Sequence, residues 1–236
     1  MIDLPQGDYV YKGTVLKQNR DSEALLVFLM DIGKTWIFVQ GKGRNRFLGA
    51  TEPMIWGEFN IYKNSYGLFL KNVNIKNDFL SLRQSATSLY LATKIYSIMA
   101  EKLPFELKNN SLLRSLYDTL ILIDEGASGE ATYFRFIAKF LSSYGIMPSF
   151  HVCTNCGSAI HDVAYLSSRG IFCGKCASFS DLRLELNDLL DMHKALCLDH
   201  NDFVSWCQSA NYTKKLSKCS EILEKYLNKV VPVLAQ

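Results

Sequence analysis

The sequence contains no apolar stretch long enough to cross a membrane. Its longest purely apolar run, Ala24 to Met30, has seven residues, whereas a membrane-spanning helix needs about 20. The N-terminal segment MIDLPQGDYVYKG has no apolar stretch after a basic start, so it lacks the pattern of a secretory signal. We therefore expect a soluble, cytoplasmic protein that has no membrane partner.

The sequence also lacks the short motifs of common catalytic sites. It contains no phosphate-binding GxxxxGK[ST], no dinucleotide-binding GxGxxG, no HExxH and no GxSxG. Asp124 and Glu125 form an acidic pair, but they stand directly before Gly126 at the predicted end of a helix, where a solvated terminus is the simpler interpretation. These absences predict a protein that is not an enzyme.

Excess charge of one sign is small overall but concentrated in one segment. The formal net charge is only +3, and the first 80 residues carry ten basic and eight acidic side chains. Within them, the stretch KTWIFVQGKGRNR has no acid and four bases, which are Lys34, Lys42, Arg44 and Arg46. Two glycines make its second half pliable, and pliable basic loops suit a phosphate backbone. We predict that this stretch contacts DNA.

Several aromatic residues lie close to the basic stretch. Bases of single strands stack on such rings for about 1–3 kcal/mol each, but a barrel core also needs aromatic side chains, and both interpretations stay open for Trp36 and Phe38. Trp36 is included among the candidate DNA-binding residues, and Lys12, Lys17 and Arg20 extend the predicted surface. No segment has the pattern of a recognition helix, so the predicted binding is not sequence-specific.

The first 80 residues have the composition of a β-domain. Strands are predicted at Tyr9 to Lys17, Glu23 to Met30, Thr35 to Gln40, Glu58 to Lys63 and Tyr66 to Lys76. Turn-like breaks rich in Asn, Asp, Ser and Gly separate these segments. Five short strands joined by tight turns predict a small barrel, for which the OB-fold is the commonest five-stranded solution.

Helical spacing replaces strand alternation from Leu82 onwards. A stripe with steps of four and three predicts a long helix that Pro104 ends, and its members are Leu82, Ala86, Leu89, Thr93, Tyr96, Ala100 and Leu103. Further helices are predicted at 112–123 and 133–144, and helical periods return near Leu182 and Ile222. The predicted fold class is therefore α+β, with an OB-fold β-barrel over residues 1–80, an α-helical domain over 81–152 and 177–236, and a zinc ribbon inserted at 153–176.

Four of the seven cysteines have the spacing of a zinc site. Cys153 and Cys156 form one pair, and Cys173 and Cys176 form a second pair after sixteen intervening residues. Two residues between cysteines allow a tight turn to direct both sulfurs at one ion, and four cysteines close a tetrahedral site. The pattern predicts one structural Zn²⁺, with Gly157 and Gly174 relieving the turns and Ala164 to Phe172 forming a hairpin.

The other candidate ligands have no such spacing. Cys197, Cys207 and Cys219 are predicted to be small apolar core residues. His151 and His161 lie near the cysteine pairs, and they are predicted to be solvated or to support the ligands from outside the metal shell.

The order of these segments resembles the RecO family of bacterial DNA repair proteins, which are recombination mediators. The resemblance depends on GKGRNR followed by FLGATEPMIWGEFNIY, and on DEGASGEATYFRFIAKFLSSYGIMPSFHVCTNCG followed by FCGKCA. It extends over nearly the whole chain and is weakest after about Leu182. It implies an OB-fold, a helical domain and a zinc ribbon, together with binding of single- and double-stranded DNA and annealing of complementary strands.

The resemblance also implies protein partners. They are RecR, the acidic C-terminal tail of the single-stranded-DNA-binding protein and, indirectly, the recombinase RecA. An acidic tail with an aromatic end needs a basic side chain beside an apolar groove, and Arg135 and Lys139 are the candidate residues for it. A role for Arg135 in bracing a core salt bridge is equally compatible with the sequence.

Two other functions are compatible with the sequence. A zinc-ribbon adaptor that binds only proteins would ignore DNA at low salt. A zinc-containing nuclease or thiol oxidoreductase would show metal-dependent turnover or reactive CxxC thiolates. Metal analysis, thiol titration and a single-stranded DNA binding assay distinguish these alternatives from the mediator.

Overall fold

The structure is a computed structural model that describes residues 4–19, 21–39, 47, 49–209 and 212–231. The chain divides into two compact units, the first comprising Met1–Arg114 and the second Ser115–Val233. Within the described ranges, no helix is long and apolar enough to span a bilayer. The division lies beyond the predicted domain boundary at residue 80, because the first long helix packs on the barrel and belongs to the first unit.

Five strands form the closed barrel of the first unit: β1 Gly7–Asn19, β2 Ala24–Leu29, β3 Gly33–Phe38, β4 Trp56–Lys63 and β5 Leu68–Asn77. They follow the order β1-β2-β3-β5-β4, and β4 pairs back with β1. All neighbours are antiparallel except β3 and β5, which pair in parallel through Phe38 and Phe69. The five predicted strands are confirmed, and so is the α+β class.

The first strand is bent because it serves two neighbours. Its first half pairs with β4 and its second half pairs with β2, and Gly13 lies in both registers. A Cβ atom at Gly13 would lie 2.3 Å from the carbonyl oxygen of Phe28, so the close approach of β2 requires glycine here. The bend closes the sheet around an apolar core that includes Val15, Val27 and Phe59.

Helix α1, Ala86–Lys102, packs on the barrel through a buried hydroxyl. The Tyr96 hydroxyl lies 2.9 Å from Thr14 Oγ1 and accepts a hydrogen bond of 2.9 Å from Trp56 Nε1. Burial raises the pKa of this hydroxyl above its usual value, so Tyr96 stays neutral. Trp56 is therefore a core residue of the first unit.

The predicted inner face of α1 is confirmed only in part, because Leu82, Tyr96 and Leu103 are buried while other members of the stripe are not. The buried residues of the helix are Ala92, Ile95, Tyr96, Ile98, Met99 and Lys102. Ala86 and Thr93, which belong to the predicted stripe, are exposed. Part of that stripe instead lines a cavity of about 400 Å³ beside β1. The helix carries apolar residues on more than one face, and packing against the barrel selects between them.

The second unit is mainly helical. It contains most of α2 Asn110–Asp124, which begins in the first unit, together with α3 Gly129–Ser143, α4 Leu186–Cys197, α5 His200–Gln208 and α6 Leu216–Val230. Helix α3 is buried along most of its length and packs against α4 and α6. Every predicted helical region contains a helix, although Leu182, predicted to be helical, lies in a strand and the helix begins at Leu186. Helix α5 is not predicted, because its nine residues carry few apolar side chains.

A small sheet completes the second unit. Its strands are β6 Val163–Ser167, β7 Gly170–Phe172 and β8 Leu182–Glu185, in the order β7-β6-β8. Strands β6 and β7 form the predicted hairpin. Strand β8 follows the second cysteine pair and pairs with β6, so the ribbon extends beyond the predicted insert at 153–176.

Candidate metal centre and nucleic-acid interface

The two cysteine pairs meet at one point of the second unit. The sulfur atoms of Cys153, Cys156, Cys173 and Cys176 all lie within 4.8 Å of one another, and Cys156 Sγ lies 3.8 Å from Cys173 Sγ. In a tetrahedral site with Zn–S bonds of about 2.3 Å, the sulfurs would be about 3.8 Å apart. The four thiols therefore have the composition and the spacing for one zinc ion.

Each cysteine pair is shaped by a tight turn. The Gly157 N–H donates to the Cys153 carbonyl at 3.0 Å, and the Cys176 N–H donates to the Cys173 carbonyl at 3.0 Å. Gly157 has a φ of 69°, a left-handed conformation that favours glycine. Gly174 has no such φ, and a Cβ atom there would make only ordinary contact with Tyr165, so the predicted need for glycine at position 174 is wrong.

Polar groups around the first cysteine pair favour the thiolate form that binds metal. Backbone N–H groups of Cys156 and Cys173 hydrogen-bond to the Cys153 sulfur and lower its pKa to about 6. Ser158 Oγ lies 3.2 Å from Cys156 Sγ, and the pKa of Cys156 is also lowered. Asn155 donates to Cys176 Sγ at 3.5 Å, but the neighbouring Cys156 thiol and burial outweigh this donor and raise the pKa of Cys176 to about 11. Metal ligation requires deprotonated sulfur, so these donors prepare the site for a cation. The CxxC spacing does not by itself indicate Asn155 or Ser158, although both lie within or beside the first pair.

The cluster contains four cysteines and no other ligand type among the described residues. His151 and His161 are exposed. Of the remaining cysteines, Cys207 and Cys219 are buried as predicted, and burial raises the pKa of Cys219 to about 12. The prediction that Cys197 is a core residue is wrong, because its thiol is exposed and lies 3.5 Å from His193 Nε2 on the same helix.

The predicted DNA-binding residues occupy different environments. Lys12 and Lys17 are exposed on β1, and Trp36 is half-buried on β3. Phe38 is 38% exposed, so it is not a core residue. Arg20, Lys42, Arg44 and Arg46 lie outside the described residues, and their role stays a prediction.

Lys34 does not have the exposed position that a phosphate contact needs. Its side chain is only 2% exposed. Its ammonium donates to the Ala100 carbonyl at 2.8 Å and lies 4.3 Å from the centre of the Phe105 ring. Ala100 lies in the last turn of α1, where a positive charge interacts favourably with the helix dipole. Lys34 therefore joins β3 to the end of α1, which sequence reasoning missed because an exposed and a buried lysine look alike in a basic run.

Burial of Lys34 predicts a pH-dependent stability. Burial lowers its pKa from 10.5 to about 8, so between these values the unfolded chain binds a proton that the folded chain does not. Stability is therefore lost as the pH falls from 10.5 to about 8, by up to about 3 kcal/mol, and the loss is constant below that range. The free energy of unfolding of Lys34→Met minus that of wild type should therefore be larger at about pH 7 than at about pH 10.5.

Chemical denaturation across this range measures the difference. The control is Lys12→Met, which removes an exposed ammonium from the same barrel. The prediction is contradicted if the difference in free energy of unfolding between wild type and Lys34→Met stays constant over the whole pH range.

The two candidate tail-binding residues lie one turn apart on α3. Arg135 is 8% exposed; its guanidinium donates to the Ala195 carbonyl at 3.2 Å and lies 4.6 Å from the centre of the Phe203 ring. Burial lowers the pKa of Arg135, and burial together with the charge of Arg135 lowers the pKa of Lys139. Lys139 is the more accessible of the two. Arg135 is therefore held by a backbone carbonyl and an aromatic ring. The sequence was equally compatible with a salt bridge in the core, and these two contacts take its place.

Comparison with known proteins agrees with this architecture. The model of the family "Recombination protein O C terminal" matches residues 83–231, which is more than half of the chain. A DNA repair protein RecO of Caldicellulosiruptor saccharolyticus is 25% identical over 230 residues, covering 94% of this chain and 88% of its own. A DNA repair protein RecO of Caldicellulosiruptor bescii is 28% identical over 184 residues, which cover 74% of this chain and 75% of the relative. A DNA repair protein RecO of Streptococcus suis is 23% identical over 192 residues, which cover 78% of this chain and 74% of the relative.

Proposed function

The chain belongs to the RecO family of DNA repair proteins, and from that premise we propose that it is a non-catalytic recombination mediator. It binds single- and double-stranded DNA, anneals complementary strands and acts with RecR to load the recombinase RecA. This role places it in the cytoplasm, at the nucleoid. The observation that carries the DNA-binding part is the acid-free basic stretch that continues from β3 of the barrel.

The barrel surface supplies the charge for this activity. Lys12 and Lys17 project from β1, and the sequence beyond Val39 adds Lys42, Arg44 and Arg46; Arg20 follows the end of β1. Cations that neutralise phosphates allow two polyanionic strands to approach each other. Lys34 has a different role, because it holds the barrel against the end of α1.

Binding and annealing assays on the whole chain test the proposal. Equilibrium binding of labelled single-stranded and duplex oligonucleotides at low salt should give affinities that fall steeply as salt rises. Complementary strands should pair faster in the presence of the protein than alone. A purified chain that binds neither DNA at low salt would exclude the mediator and favour an adaptor that binds only proteins.

The metal has a structural role in this proposal. A zinc ion held by Cys153, Cys156, Cys173 and Cys176 would have no open coordination position for water, so it stabilises the ribbon and activates no nucleophile. The ion contributes folding free energy to a sheet whose strands have only three to five residues.

We further propose that the helical unit binds the acidic tail of the single-stranded-DNA-binding protein beside Arg135 and Lys139. Two neighbouring cations on α3 are partly removed from water: burial and the charge of Arg135 lower the pKa of Lys139, while the charge of Asp118 acts to raise the pKa of both. A carboxylate between them would relieve that repulsion through charge-assisted hydrogen bonds.

Charge reversal at the accessible position tests this site. Lys139→Glu should weaken binding of a synthetic acidic, aromatic-ended peptide by about tenfold or more, because a hydrogen bond to a charged group contributes about 1.5–3 kcal/mol. Lys218→Glu makes the same charge change at an exposed position of α6 and serves as the control. Fluorescence anisotropy of the labelled peptide measures both variants, and equal affinities for them would place the tail elsewhere.

A further inference from the structure

The end of helix α4 carries a histidine and a cysteine whose metal-binding atoms lie side by side on the surface. His193 Nε2 lies 3.5 Å from Cys197 Sγ. Both side chains are exposed, and neither belongs to the four-cysteine cluster of the ribbon. We call these two residues the α4 pair.

The helix itself brings the two side chains of the α4 pair together. Residues four apart project from the same face of an α-helix, one turn above the other. The opposite face of α4 is anchored in the second unit, where Met192 and Ala195 are fully buried. Because the backbone already holds both side chains on one face, little conformational entropy is lost when they bind one ligand.

The separation of the two atoms fits two corners of a tetrahedral zinc site. With a Zn–S bond of about 2.3 Å and a Zn–N bond of about 2.0–2.1 Å, ligands at a tetrahedral angle lie about 3.6 Å apart. The observed distance is 3.5 Å. Imidazole nitrogen and thiolate sulfur are also ligand types that zinc prefers. The pair thus supplies two of the four ligands and leaves two positions open to water.

The charges around the α4 pair also favour a cation. Cys197 is the last residue of α4, and the carbonyl groups that end a helix carry a partial negative charge. Lys194 lies on the same helix between the two residues, but its ammonium is 3.7 Å from Asp191 Oδ1, which offsets part of its repulsion. The thiolate adds a full negative charge once its proton has left.

We propose that His193 and Cys197 form a second zinc site, which exchanges its ion with solution. Binding of Zn²⁺ forms one Zn–N bond and one Zn–S bond, and the thiol proton passes to water. Two protein ligands hold an ion less tightly than four cysteines do. Protein that is desalted into metal-free buffer therefore keeps only the ribbon ion, and the α4 pair fills when free Zn²⁺ is added. This site is independent of DNA binding.

Protection of the Cys197 thiol by zinc tests the site. In desalted wild type, excess Zn²⁺ should slow the alkylation of Cys197 by iodoacetamide, measured by mass spectrometry of the peptide that contains it. His193→Ala should lose this protection although the thiol is still present, because one ligand is missing. His161→Ala, which removes an exposed imidazole from the ribbon, is the control and should keep the protection.

Equilibrium dialysis against Zn²⁺ counts the ions directly. Wild type should bind one ion more than His193→Ala or Cys197→Ser, and both variants should keep the wild-type melting temperature, since the two side chains are exposed. Each of three results would overturn the proposal: an alkylation rate in wild type that ignores Zn²⁺, full protection of Cys197 in His193→Ala, or equal zinc content in wild type and both variants.

Discussion

Removal of the metal should collapse the ribbon and lower the melting temperature of the protein by at least about 10 °C. Loss of about 3–5 kcal/mol in a chain of this size corresponds to a shift of that order, and structural zinc supplies about 10–16 kcal/mol in isolated fingers. The β6–β8 sheet offers few apolar side chains as a substitute, among them Leu166, Ile171 and Leu184. Metal analysis should find one zinc ion per chain before chelation.

Thiol titration makes this prediction quantitative. In the native protein, one thiol should react quickly, because Cys197 is exposed while Cys207 and Cys219 are buried and the other four are metal-bound. After chelation, the four ligand thiols should join Cys197. Cys153→Ser should lose the metal, whereas the control Cys197→Ser should keep it and lose only the fast thiol. Metal-free protein with an unchanged melting temperature would exclude a structural ion.

The barrel could be predicted from the sequence because each strand carries its own local signal. Strand β2 is buried at every residue and is a continuous apolar run, while β4 alternates from Gly57 onwards between buried positions and half-buried or exposed ones. The cysteine cluster was equally predictable, since the two CxxC pairs are short-range turns whose geometry depends on few neighbours. These features do not depend on how distant segments meet.

The errors concern contacts between distant segments. Helix α1 has apolar side chains at both Leu89 and Ile95, and only packing against the barrel decides that Ile95 is buried. Burial of Lys34 depends on the end of α1, some 66 residues further along the chain. The cavity beside β3 has the same origin, because Phe105 joins Trp36 and Phe38 only through the fold. A pattern that is periodic or basic identifies candidates, and tertiary contacts then decide which of them reach the surface.

Replacement of Lys42, Arg44 and Arg46 together by alanine should lower DNA affinity by at least about tenfold at low salt. Each phosphate contact that is lost releases one counterion fewer, so the slope of log affinity against log salt should shrink by up to about 0.9 per residue for duplex DNA and about 0.7 for single strands. Lys34 is left unchanged in this variant, because its removal alters the contact with α1 and would confuse binding with stability.

The matched control removes two cations that already have acidic partners on the same barrel. Lys71 lies 2.9 Å from Asp8, and Lys76 lies 3.4 Å from Glu58. Because these acids neutralise them, the double variant Lys71→Ala, Lys76→Ala should change the salt slope less than the triple variant does. Equal slopes for the triple variant and wild type would show that the basic stretch makes no phosphate contacts. If the triple variant and the control lose DNA affinity equally, only overall charge matters. If only the triple variant loses DNA affinity, the phosphate contacts belong to the stretch that follows β3.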